Sequence, residues 1–168
     1  MPGRPRRLAT FSYQGLHRYS LTFCAHERRI LFVEADVVQE AHAQILESAA
    51  RHAFALAAYC FMPDHLHLLV EGQSDDADLI AFAKDVKQRV AYRQRCKRAG
   101  PVWQKGYYER VLRDDEATLI VARHILENPV RKGLVREPRD YAFSGSAVWT
   151  REQLLEMWQT DAASFGTA

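Results

Sequence analysis

In the stretch FMPDHLHLLVEG, two histidines, His65 and His67, alternate with leucines. Residues two apart on a strand point to the same face, about 7 Å apart along the chain. Two imidazoles so placed could converge on one divalent cation if a neighbouring element adds a ligand. Taken alone, the pair could equally be two surface histidines on a half-exposed strand. Asp64 precedes it and could orient one ring or cap the turn. Further along, RHILENP sets His124 and Asn128 four residues apart, hence on one helical face. The Asn128 amide oxygen is a hard donor suited to Mg²⁺ or Mn²⁺, or simply closes a helix before Pro129.

Basic and aromatic residues surround these positions. The segment 84–105 carries eight Lys or Arg against the single acid Asp85, a local charge of +7 inside a chain of net +2. Arg89, Arg93 and Lys97 recur every fourth residue and form one stripe of a helix, either a solvated face or a phosphate-binding one. Lys105, Arg110, Arg113 and Arg123 flank the histidine and asparagine motifs, and Arg131 and Lys132 follow them. Trp103, Tyr107 and Tyr108 interleave with these bases, a pattern that stacks unpaired bases while tracking phosphates. Tyr92, in the basic helix, reads as a packing or stacking residue.

The elements that must position these groups follow from periodicity. An alternating stretch predicts a strand over 13–24, and helical spacing after an acidic opening predicts a helix over 34–51. FALAAYCFM and HLHLLVEG form a hairpin about the turn at Pro63 and Asp64. A helix with a Ser/Asp cap runs to about Arg98, before Gly100 and Pro101. A fourth, aromatic-rich strand follows in VWQKGYYERVLRD. Then comes a helix that should stop near Asn128, because Pro129 follows. The order predicts an α+β fold: a ferredoxin-like βαββαβ core, with four antiparallel strands, two helices on one face, and an extra C-terminal helix carrying part of the site. The leucine face of HLHLLVEG would bury under the first two helices and leave the histidine face open. We expect one domain over 1–150, then a helix and tail over 151–168.

At this point the sequence resembles a known family, the REP-associated tyrosine transposases within the HUH single-strand DNA transposases. MPDHLHLLV, VWQKGYYERVLRDDE, ARHILENPVRKGLV and the weaker PRDYAFSGSAVW carry the likeness across most of the chain. The resemblance implies a divalent metal (Mg²⁺ or Mn²⁺) at the histidine pair, single-stranded or hairpin DNA as partner, and metal-assisted strand cleavage and joining. It also implies a helical tyrosine that attacks the scissile phosphate and becomes linked to the 5′ end. His65, His67 and Asn128 match the family's metal positions, but His124 stands where the nucleophilic tyrosine is expected. Three readings are open: cleavage is lost and DNA binding kept; His124 acts as a ligand or nucleophile; or Tyr107 or Tyr108 serves instead. A non-enzymatic DNA- or RNA-binding module and a phosphodiesterase using activated water remain as alternatives.

Composition sets the outer bounds. No apolar run nears the roughly 18 residues of a membrane span, the basic N-terminus lacks a secretory core, and three dispersed cysteines suggest no disulfide framework. We expect a cytoplasmic protein working as a monomer or homodimer.

Overall fold

The structure, a computed structural model, describes residues 10–95, 97, 99–113, 118–150, 152–154 and 156. Strand β1 (Arg18–Cys24) alternates buried Tyr19, Leu21 and Phe23 with Ser20 and Thr22, so its two faces differ in chemistry from the outset. It starts later than periodicity predicts, because Gly15 adopts a φ of 103° and turns the chain first. Helix α1 (Ala35–Arg51) is followed by β2 (Phe54–Met62) and β3 (His65–Gly72), the expected hairpin about Pro63 and Asp64. Helix α2 (Leu79–Arg95) is capped by the Asp78 carboxylate, which accepts from the amides of Ile80 (2.8 Å) and Ala81 (3.0 Å).

β4 is only Tyr108–Val111. Gly106, at φ 80°, separates it from Trp103, which makes an isolated bridge to Ala25 rather than joining the strand. α3 (Thr118–Leu126) and the single turn α4 (Asn128–Arg131) are joined through Glu127, whose backbone stays helical. The helical path therefore continues past Pro129 rather than stopping at Asn128: proline lies in the first turn of α4, where no amide donor is needed. A two-residue β5 (Ser144–Gly145) completes the sheet, whose order is β4-β1-β3-β2-β5 with every pairing antiparallel. Its first four strands and α1 and α2 form the expected ferredoxin-like arrangement.

The two faces bury different sets of residues. Tyr19, Leu21, Phe23, Leu66, Leu68 and Val70 pack with Val37, Ile45, Phe82 and Val86 of α1 and α2. On the other face, Ala58, Cys60, Met62 and Leu69 pack under Val121, Ala122 and Ile125 of α3. A β-bulge between Leu56 and Ala58 makes this division possible. It shifts the alternation of β2 by one, sending Tyr59 and Phe61 to the helical core and the smaller Ala58, Cys60 and Met62 beneath α3. The histidine face is thus half roofed by α3 rather than open. Of the expected C-terminal helix over 151–159, only residues 152–154 and 156 are described, and they are helical.

Candidate metal and nucleic-acid site

Register fixes what surrounds the histidines. His67 lies opposite Thr22 and Cys60, and His65 opposite Cys24 and Met62. The His65 and His67 Nε2 atoms stand 3.0 Å apart. Two nitrogens about 2.1 Å from one ion and roughly at right angles are about 3.0 Å apart, so the pair has the bite of a chelate. The other nitrogen of each ring is held from behind. His65 Nδ1 lies 2.6 Å from Asp64 Oδ1, and His67 Nδ1 lies 3.0 Å from Thr22 Oγ1. A carboxylate only accepts, so the His65 proton sits on Nδ1 and Nε2 keeps its lone pair. The Thr22 hydroxyl can donate or accept, which lets His67 present either an N–H to His65 or a second lone pair to a cation.

Both rings are held neutral, the form a metal requires. Burial pushes His67 down to about 3, helped by the neighbouring His65 and by Arg131, His124 and Arg28. Burial also lowers His65, partly opposed by Asp64. Among the described residues, no three His, Cys, Asp or Glu side chains group around a possible ion. His124 lines the same cleft as His67, and its charge acts on that ring. The imidazole pair, each ring fixed from behind, fits a divalent ion.

Ser20, Thr22, His67, Arg110, His124 and Asn128 line one cleft of about 470 Å³, together with apolar residues of α3. Burial and the charge of Arg131 hold His124 below its usual value. Asn128 donates through Nδ2 to the carbonyls of Ile125 (3.1 Å) and His124 (3.4 Å), while its Oδ1 accepts from Arg131 (3.0 Å). Exposed Arg110 lines the cleft; its charge and that of Arg131 act on His124, against the single acid Glu127, and Lys132 acts on His65, so basic groups outnumber acidic ones around it. Arg123 lies on α3, where its Nε meets Glu127 Oε1 at 2.7 Å; Lys105 and Arg113 are exposed at the two ends of the β4 segment.

Several expected groups lie elsewhere. Trp103 is 8% exposed, edge-on to Phe23, and donates from Nε1 to the Lys87 carbonyl at 3.1 Å. It is a core residue and offers no face to a base. Tyr107 also packs edge-on to Phe23 on the helical side, while Tyr108 faces the histidine side opposite Thr22 and is 38% exposed. In the stripe, Arg89 and Arg93 lie on α2 and Lys97 in the turn just past its end, across the sheet from the histidines. Arg89 meets Glu47 (2.7 Å) and Asp85 (3.3 Å), and Lys97 meets Asp36 and Glu40 (both 2.9 Å), so two of its three bases join α2 to its neighbours instead of awaiting phosphate. Arg93 is exposed beside Tyr92, which is 71% exposed. Sequence reasoning missed Thr22 and Arg28. The first was detectable as a polar position in the alternation of β1; the second depends on a turn that no pattern announces.

Comparison with known proteins bears on the family and the fold. The family model Transposase IS200 like matches residues 13–128. A Haemophilus influenzae protein carrying the name REP-associated tyrosine transposase is 26% identical over 146 residues, covering 80% of this chain and 81% of that one. The Escherichia coli REP-associated tyrosine transposase is 24% identical over 91 residues, 54% of this chain and 53% of its own. Among solved structures, a REP-associated tyrosine transposase bound to a REP hairpin superposes with a TM-score of 0.70 at 20% identity, covering 83% of this chain and 81% of that one. Among the described residues, no helix is long and apolar enough to cross a membrane.

Proposed function

The chain belongs to the IS200-like transposase family, and from that premise we propose that it binds single-stranded or hairpin DNA at the histidine cleft and holds a divalent cation there. With histidine in the tyrosine slot, it lacks the covalent strand-joining step. The observation that carries this reading is the pair of Nε2 atoms 3.0 Å apart, fixed by Asp64 and Thr22 and flanked by a cationic cleft. Transposases of this family generally use a divalent metal. His65 and His67 would hold it, with the Asn128 amide oxygen in the same cleft as a candidate oxygen donor; bound there, the ion would supply Lewis-acid polarisation of a phosphoryl oxygen. Arg110, Arg131 and Lys132 neutralise the phosphates on either side. The working compartment is the cytoplasm.

Absence of the covalent step rests on what the cleft contains. Tyr107 belongs to the core, Tyr108 lies two strands over from His67 with β1 between them, and the group facing the cleft from the helix is His124. A second reading follows from that imidazole, which burial and the charge of Arg131 hold below its usual value. As general base, His124 would take the proton of a water whose oxygen bonds to phosphorus while the P–O bond to the leaving 3′ oxygen breaks; that oxygen keeps the bonding pair and takes a proton from solvent, releasing free cut DNA with a 3′ hydroxyl and a 5′ phosphate.

The test is a labelled hairpin with a single-stranded flank, incubated with the protein and Mn²⁺ and run on native and denaturing gels. We expect a shifted native band and an intact strand on the denaturing gel. Free cut DNA would establish the hydrolytic reading, and a protein–DNA adduct surviving denaturation would overturn the absence of a nucleophile.

A further inference from the structure

The β1–α1 connection contains two consecutive non-glycine residues in left-handed backbone, Glu27 at φ 53° and Arg28 at φ 55°. Each costs on the order of 1–2 kcal/mol. The turn they make folds Arg28 back against Asp64 and Cys24, the neighbours of His65. Its Nε lies 3.0 Å from Asp64 Oδ2, and its Nη1 lies 3.1 Å from the sulfur of Cys24, the residue opposite His65. Asp64 Oδ1, in turn, meets His65 Nδ1 at 2.6 Å. The backbone reinforces the arrangement: the Ala25 amide donates to the Asp64 carbonyl, and the Leu31 and Phe32 amides donate to the Pro63 carbonyl.

Stability alone does not account for this contact. The Arg28 side chain is 50% exposed, and exposed ion pairs contribute about 0–1 kcal/mol, less than the strain of the turn. The contact instead has a directional consequence. An Asp64 free to rotate could turn its carboxylate from His65; with Oδ2 engaged by the guanidinium, Oδ1 stays on Nδ1 and the His65 lone pair stays on Nε2.

We propose that Arg28 is a positioning residue for the metal pair, acting through Asp64 to fix the ring orientation and tautomer of His65. The inference rests on the metal reading above and adds a third layer to it. Its effect should be smaller than that of a direct partner of the ligand, whose loss typically costs 10–100-fold in metal affinity.

The experiment is a double-mutant cycle on the full chain, Arg28→Ala, Asp64→Ala and both together, read by calorimetric Mn²⁺ titration. Nitrogen NMR of the metal-free protein reads the His65 tautomer in parallel. Expected are a loss of about 3–10-fold for Arg28→Ala, a larger one for Asp64→Ala, and a double variant no weaker than Asp64→Ala. The His65 spectrum should be Nδ1–H in the wild type and mixed in Arg28→Ala. Unchanged affinity in Arg28→Ala, or losses that multiply in the double variant, would overturn the proposal. Should Arg28→Ala not fold, Arg28→Lys keeps the charge without the two-donor fork and is expected to show the same mixed tautomer. A wild-type protein that binds no Mn²⁺ defeats the metal reading itself. The metal-free tautomer still decides the Arg28–Asp64 coupling: an unmixed Nδ1–H spectrum in the variant would overturn it.

Discussion

At the scale of residues, the site depends on imidazoles kept neutral. Burial is the main cause at His42, His65 and His67 alike. A histidine with a folded value below its unfolded value of about 6.5 binds fewer protons folded than unfolded. Its contribution to stability is complete above about 6.5 and is lost as pH falls towards the folded value, which for His67 is about 3. The slope reaches about 1.4 kcal/mol per pH unit per histidine. Urea unfolding of the metal-free protein at pH 7 and pH 5 should therefore show a drop on the order of 2 kcal/mol or more. A flat profile would mean that the pair is hydrated rather than buried. Asp85 titrates separately: burial alone would raise it, but the Ser48 hydroxyl and the charges of Arg89, His52 and Arg51 hold it below the usual carboxylate range. The other residue-scale claim concerns His124. Restoring the family's side chain with His124→Tyr should give an adduct that survives denaturation in Mn²⁺, where the wild type gives none. An adduct in both would assign the attack to another residue.

At the scale of elements, the sheet sorts its neighbours into a supporting side and a working side. The supporting side was legible because β1 and β3 alternate: Tyr19, Leu21 and Phe23, and Leu66, Leu68 and Val70, had to share a buried face. The place of the histidine pair opposite α1 and α2 follows from the same alternation. What could not be read was the bulge after Leu56, since one inserted residue leaves no compositional trace yet exchanges the faces of Tyr59 and Cys60. Nor could the partners of the basic helix be seen. The four-residue spacing of Arg89 and Lys97 marks a stripe but does not say that α1 supplies Glu47, Asp36 and Glu40 to meet it. The consequence is measurable. Arg89→Ala should cost about 1–2 kcal/mol in unfolding experiments by leaving Glu47 and Asp85 less well paired, with hairpin affinity within about two-fold of wild type. A large loss of DNA binding at unchanged stability would return this stripe to the DNA surface.

At the scale of the molecule, net charge says little and its distribution says more. Arg110, Arg131 and Lys132 gather about the cleft, while Arg89 and Lys97 are spent on the opposite side. Binding should weaken steeply with salt, and Arg110→Ala should reduce the magnitude of the slope of log affinity against log salt by about 1. The family's motifs were legible along most of the chain, and the resemblance implied a departure at His124 in a single letter. The consequence of that letter required geometry: only the structure puts His124 in one cleft with His67 and Asn128 while Tyr107 packs into the core. The most direct test of the central claim is the affinity of a fluorescent hairpin at about 0.15 M salt, with and without Mn²⁺, for the wild type and a His65→Ala/His67→Ala variant. Tight binding that Mn²⁺ strengthens in the wild type, and a variant that ignores the ion, is the expected result. Binding no tighter than that of an unrelated basic protein, or a Mn²⁺ effect that survives without both histidines, would contradict the account.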